Sequence, residues 1–231
     1  GTYSEAAIKM ESCIGCTINN NTMSNSPFRG IWMDQGFNTA ITNNTMDVDY
    51  YGIQADYGSY YSLDGNTVNI ANVNNNNNVQ AIRFYSSEYC TVNNNTITAS
   101  GSTSDAYAIY NSEDNSQAII NNNIIDWANY DSTQCGWYNS SGSNYSPSYT
   151  FGVFVRDPQE IKGNNVLLDV YYGGNAIYVY KSSSYSVDLA IESNIIDYYS
   201  QYTWSDNFGI RINSGNSSYT LVKGNTIRVY R

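Results

Sequence analysis

The chain has no histidine, and only three prolines, four cysteines and ten basic residues among its 231. Without histidine it lacks the commonest general base and a leading metal ligand. Twenty acidic residues against the ten basic ones set the net charge at −10, which repels phosphate backbones and anionic lipid and argues against nucleic acid as a partner. No apolar run approaches the roughly 18 residues of a membrane span, and the opening GTYSEAAIKM has neither the basic nor the apolar region of an export signal. If the protein is exported, this is its mature form. What abounds instead is Tyr, 24 residues, beside Asn and Ser, a mixture that favours strands.

The asparagines are phased. Runs such as TINNNTM, AITNNTM and TVNNNTI share one frame, apolar-x-(Asn/Gly)-Asn-x-apolar, anchored at Asn21, Asn44, Asn66, Asn95, Asn123, Asn164, Asn194 and Asn225. The residue before each anchor is Asn, Gly or, once, Ser193, and Asn and Gly enter the left-handed backbone region most cheaply, so each copy reads as strand, tight bend, strand. A second motif, small-(Ile/Val)-x-apolar, precedes every anchor, from AIKM at Ala7 to GIRI at Gly209, with the period-2 alternation of a half-buried strand. The fifth copy, AIYN, breaks the alternation at Asn111. Spacing within a unit is 13 residues in each of the first four, whereas the gap from an anchor to the next unit ranges from 9 to 30. Length variation is therefore confined to one corner of a repeating all-β unit, as in a stacked solenoid.

The GI…NNTI phrasing resembles the right-handed parallel β-helix repeats of the pectate-lyase-like superfamily, from Ala7 to Ile227. The expected fold is a single parallel β-solenoid domain over residues 1–231, with about eight coils, a long aromatic insertion at 126–150 and uncapped ends. Equivalent residues of successive coils would lie about 4.8 Å apart. The anchor asparagines would then form a ladder, satisfying amides that would each cost roughly 1–3 kcal/mol if buried alone.

Enzymes that the resemblance brings to mind cleave acidic polysaccharides with carboxylates, calcium and an arginine base, or with paired aspartates and a histidine. The second set is incomplete here. Arg83 and Arg211 share a face but belong to coils four and eight, about 19 Å apart, too far for one centre. Asp64 and Glu192 are similarly remote from each other. Asp34 and Asp56 occupy matching offsets in adjacent coils, close enough to share a cation or raise each other's pKa, although the expectation is two solvated surface carboxylates.

Cys16 and Cys90 fall in one column, three coils or about 14 Å apart, beyond the roughly 7 Å Cα limit of a disulfide. Cys13 could close a small ring with Cys16, and Cys135 could fold back toward Cys90; alternatively Cys16 and Cys90 are buried thiols. Bonds between subunits stay open. A zinc site is not expected from one Cys-x-x-Cys. In Asp126–Thr150 two tryptophans and four tyrosines stand in 25 residues. They mark an aromatic contact surface of Trp127, Trp137, Tyr138, Tyr145 and Tyr149, continued at Trp204. Asn139, Asn144 and Asn216 are candidate glycosylation sites in variable segments.

The first and last motifs lie so near the chain ends that no capping element is expected, which would leave both rungs open to head-to-tail stacking into rings or filaments. In composition the chain is similar to the sheath proteins of filamentous methanogenic archaea. The expected function is thus that of a structural, self-assembling, extracellular sheath or surface-layer protein, with no catalytic residue, cofactor or metal and with copies of itself, and glycans, as partners. The alternative is a carbohydrate-binding adhesin or tail-spike-like module, and behind it a polysaccharide lyase or hydrolase.

Overall fold

The computed structural model describes residues 6–26, 28–70, 79–100, 106–112, 116–129, 150–170, 174–185, 187–200, 207–215 and 218–230. Three parallel sheets of eight strands each wind as a solenoid, every coil supplying one strand to each. The first sheet runs from Ala6–Glu11 to Asn207–Ser214, the second from Thr17–Asn19 to Thr220–Lys223, and the third from Thr22–Ser26 to Thr226–Tyr230. This is the parallel β-helix that the phasing predicts. The first four residues of the expected insertion, Asp126 to Asn129, continue the third-sheet strand Ile124–Asn129, and Thr150 opens the next coil.

The repeat frame maps onto the core. Ile31, Ile53, Ile82, Ile109, Val153 and Ile177 stack in register as one inward column of the first sheet. Ile41, Leu63, Val92, Ile120, Ile161 and Ile191 do so in the second. Met46, Val68, Ile97, Ile125, Val166 and Ile196 do so in the third. Each is buried, and each such side chain contributes about 1.5–3 kcal/mol relative to exposure.

Sterics explain the small residue before each first-sheet Ile or Val. A Cβ at Gly30 would lie 2.8 Å from Met46 Sδ, and one at Gly152 2.8 Å from Val166 Cγ1, so the corner between first and third sheets has almost no room. The inward Asn111, which breaks the alternation, is buried and donates from Nδ2 to Phe84 O at 2.6 Å.

The bends behave as the motif requires: Asn20, Asn43, Gly65, Asn94, Asn122, Gly163, Ser193 and Gly224 all have φ between 54° and 66°. Ser193, at 55°, is the one residue of the set whose type resists this region, a cost of about 1–2 kcal/mol for an ordinary L-residue. Ser193→Gly should therefore raise stability by about 0.5–1 kcal/mol, after allowing for the looser unfolded chain of glycine. A rise in the urea midpoint measures it; an unchanged or lower midpoint would show that Ser193 is unstrained.

The anchor asparagines form the expected ladder. Asn66 Oδ1 accepts from both the backbone N–H and Nδ2 of Asn44, each at 3.0 Å, while Asn66 Nδ2 donates to Asn95 Oδ1 at 3.0 Å and back to Ile41 O at 2.8 Å. The same pattern repeats through Asn95, Asn123, Asn164 and Asn194 to Asn225. From Asn44 onward, every side-chain carbonyl in the column accepts from the preceding rung.

Candidate ligand-binding face

The outer face of the first sheet holds the chemistry. Alternation sends Trp32 outward beside inward Ile31 and Met33, and register aligns Trp32 with Gln54, Arg83, Tyr110, Phe154, Tyr178 and Arg211. A second column, three residues earlier on each strand, joins the same face: Arg29, Tyr51, Gln80, Tyr107, Phe151, Asn175 and Phe208. Residues three apart share the face because the small residue and the Ile after it both turn toward the core. Ring contacts confirm it, with Tyr107 and Tyr110 centroids 4.6 Å apart and Tyr107 lying 5.8 Å from Phe154.

The face has two halves. Over coils five to eight it is aromatic: Tyr107 stacks on Phe151 at 5.1 Å and Phe154 on Tyr178 at 5.1 Å, and Arg211 lies over the rings of Tyr178 and Phe208 at 5.5 and 5.1 Å. Over coils two to four it is polar. Arg29 Nε donates to Gln54 Oε1, Gln54 Nε2 donates to Asp56 Oδ2, and Arg83 Nε approaches Asp56 Oδ1 at 3.2 Å. The guanidinium of Arg29 also lies over Trp32 at 4.7 Å.

The expectation of two solvated aspartates is corrected here. Asp34 and Asp56 are in register as predicted, but Asp56 is only 3 % exposed. Desolvation raises its pKa above the usual 3.8, opposed first by the charge of Arg83 and then by the hydrogen bond from Gln54, with Asp34 adding a small upward push. The guanidinium of Arg83 faces Asp56. Arg211 lies in coil eight, four strands from Arg83, as the repeat count requires.

Several atoms of this face are buried with no partner in the protein. They are the donor Trp32 Nε1 and the acceptors Asp34 Oδ1 and Gln80 Oε1, with Asn175 Oδ1 in the aromatic half, while Arg83 Nε is held by its ion pair with Asp56. Buried polar groups nearly always find partners, and a bound molecule or ordered water carrying both donors and acceptors would supply them here.

The other candidates fall elsewhere. Trp127, predicted for an aromatic contact surface, is corrected: it is 1 % exposed and points inward from the third sheet. It pairs with Ala99 in the coil before and Leu168 in the coil after, and the small Ala99 makes room for the indole. The IIDWAN alternation signals this once the strand is carried past Asp126. Trp137, Tyr138, Tyr145, Tyr149, Trp204, Cys135, Asn139, Asn144 and Asn216 lie outside the described residues. Cys13 and Cys16 form a disulfide, and Cys90 is a free, buried thiol pushed up to about 12 by desolvation. Asp64 and Glu192 sit in the second sheet, off this face, and Glu192 lies 3.9 Å from Lys162.

Among the described residues no three His, Cys, Asp or Glu side chains come together, and no helix is long and apolar enough to cross a membrane. Residues 2–164 match the family model described as periplasmic copper-binding protein (NosD). No curated protein and no solved structure matches the chain.

Proposed function

We propose that this chain, which belongs to the NosD family of periplasmic copper-binding proteins, is an extracytoplasmic β-solenoid that binds glycans on the outer face of its first sheet. The family's periplasmic description supports a place outside the cytoplasm. The observation that carries the reading is the set of buried, unpartnered donor and acceptor atoms between Trp32 and Gln80. Sugar hydroxyls both donate and accept, and aromatic rings on the same sheet offer apolar contact for sugar faces. The reading is of a binding protein.

The copper of the family's description meets a poor donor set on this face. Histidine is absent from the chain, Met23, Met33 and Met46 are buried in the core, and so is Cys90. A cupric site of nitrogen and oxygen ligands does not fit, and the glycan reading passes through no metal.

The test is a glycan array probed with the 231-residue protein, followed by calorimetry on any hit. Gln80→Leu removes one buried acceptor and should weaken a hit by about tenfold, about 1.4 kcal/mol. Trp32→Ala should abolish it. An array with no hit, or a hit indifferent to both changes, would sink the reading.

A second reading, copies stacked head to tail as a sheath or surface layer, is favoured by the last described coil. Val222 and Ile227 continue columns whose members Ile191 and Ile196 are fully buried, yet are themselves 49 % and 44 % exposed. A further β-rung laid on them would cover this apolar surface and pair the strand edges. Electron microscopy of the purified protein showing rings or fibres would support stacking; a monodisperse monomer at high concentration would oppose it.

A further inference from the structure

The chain has four cysteines and four methionines, and three of these sulfurs, those of Met10, Cys13 and Cys16, fall within one seven-residue stretch of the first coil. Among the described residues these three are half-buried, Met10 and Cys13 packed against the edge of the core, whereas Met23, Met33, Met46 and Cys90 are buried within it. Cys13 and Cys16 are joined, with Cα atoms 6.1 Å apart. The turn that carries them is open to solvent: Ile14 is 79 % exposed, and a Cβ at Gly15 would meet nothing within 4 Å.

The backbone of this turn is held independently of the disulfide. Ser12 N donates to Asp34 O at 2.8 Å and Gly15 N to Phe37 O at 2.9 Å. In return Cys13 O accepts from Phe37 N at 2.8 Å and Cys16 O from Ala40 N at 2.9 Å. Both cysteines are thus pinned to the second coil by rung hydrogen bonds that reduction leaves intact. Opening the S–S bond would free two sulfurs on a backbone already set at chelating distance, so little ordering entropy opposes metal capture.

We propose that Cys13 and Cys16, once reduced, form a two-thiolate site for Cu(I), closed whenever the disulfide is in place. A dithiol reductant supplies two electrons and two protons, leaving as its own disulfide. Cuprous ion then displaces the two thiol protons and binds both sulfurs. Soft thiolates select Cu(I) over hard cations, and a structural zinc site would need four ligands where this turn offers two cysteines. The site accounts for copper in a chain without histidine, and neither of its ligands is a residue of the first-sheet face, so the two proposals are tested by different substitutions.

The test uses the whole chain carrying Cys135→Ser, so that the cysteines left are Cys13, Cys16 and the buried Cys90. After reduction with dithiothreitol and anaerobic desalting, Cu(I) is titrated in competition with bicinchoninate. The reduced protein should withdraw one equivalent and the oxidised protein none. Cys13→Ser and Cys16→Ser should each lower the affinity by more than roughly 100-fold, beyond what an outer-shell change costs. Alkylating the reduced native protein with iodoacetamide should abolish uptake without any question of folding, and X-ray absorption of the loaded protein should report two sulfur neighbours. Equal uptake by oxidised or alkylated protein, no uptake by reduced protein, or a disulfide that resists dithiothreitol in the folded state would each overturn the proposal.

Discussion

Asn95→Ala is expected to lower the unfolding free energy by about 3–5 kcal/mol, as would truncation of any equivalent interior asparagine of the column. Asn95 is fully buried, and its carboxamide serves two neighbours at once. Its Oδ1 accepts from Asn66 N at 2.9 Å and Asn66 Nδ2 at 3.0 Å, and its Nδ2 donates to Leu63 O at 2.9 Å and Asn123 Oδ1 at 3.0 Å. Alanine leaves the Asn66 N–H and the Leu63 carbonyl in a dry interior, each at about 1–3 kcal/mol. The control is Asn21→Ala at the first rung, where the side chain donates to Asn44 Oδ1 and Asn19 O and accepts from no earlier coil; it should cost about 1 kcal/mol. Asn95→Asp sharpens the test, because a nearly isosteric carboxylate would turn an acceptor toward the oxygens of Leu63, Asn93 and Asn123 and should be at least as damaging. Urea unfolding monitored by two probes measures all three. Equal losses at Asn21 and Asn95 would mean that the column does not stabilise the fold through its buried amides.

Trp127→Ala should cost about 3–5 kcal/mol and leave any glycan affinity unchanged. Among the described residues the indole is the largest fully buried side chain, and truncation would leave a cavity that strands hydrogen-bonded on both sides cannot close. Trp127→Phe should be far milder, since it keeps most of the apolar volume and deletes Nε1, which is buried without a partner. Were Trp127 a surface contact residue, the alanine change would stay within about 0.5 kcal/mol, the usual span for exposed positions. The two outcomes do not overlap.

Much of the scaffold is legible in the residues because a solenoid repeats its constraints. The bend before each anchor needs a left-handed backbone, and Asn or Gly stands there in all copies but one. The small residue of the other motif faces side chains such as Met46 and Val166, which forbid anything larger. Neither signal depends on distant parts of the chain. The binding face is harder to read because it breaks the simple alternation. A half-buried strand suggests that residues three apart face opposite ways, and only the corner at Gly30 and Ile31 brings Arg29 and Trp32 to one side. Asp56 looks solvated in the sequence because no local pattern reveals that Gln54, Arg83 and Arg29 converge on it from three coils. Trp127 is misread for a different reason: the composition of the long variable segment begins before the strand has ended.

The one-way orientation of the asparagine column bears on how such a protein changes size. Each carboxamide answers only to the coil below and the coil above, so nothing in its bonding records how many coils there are. Duplicating or excising a stretch from one anchor to the next would restore the carboxamide bonds at the seam, whereas a cut that is out of phase would leave the carboxamides there without their partners. Recombination between copies of the repeat is thereby steered toward whole-unit gains and losses, and overall length becomes the property that lineages can alter most freely.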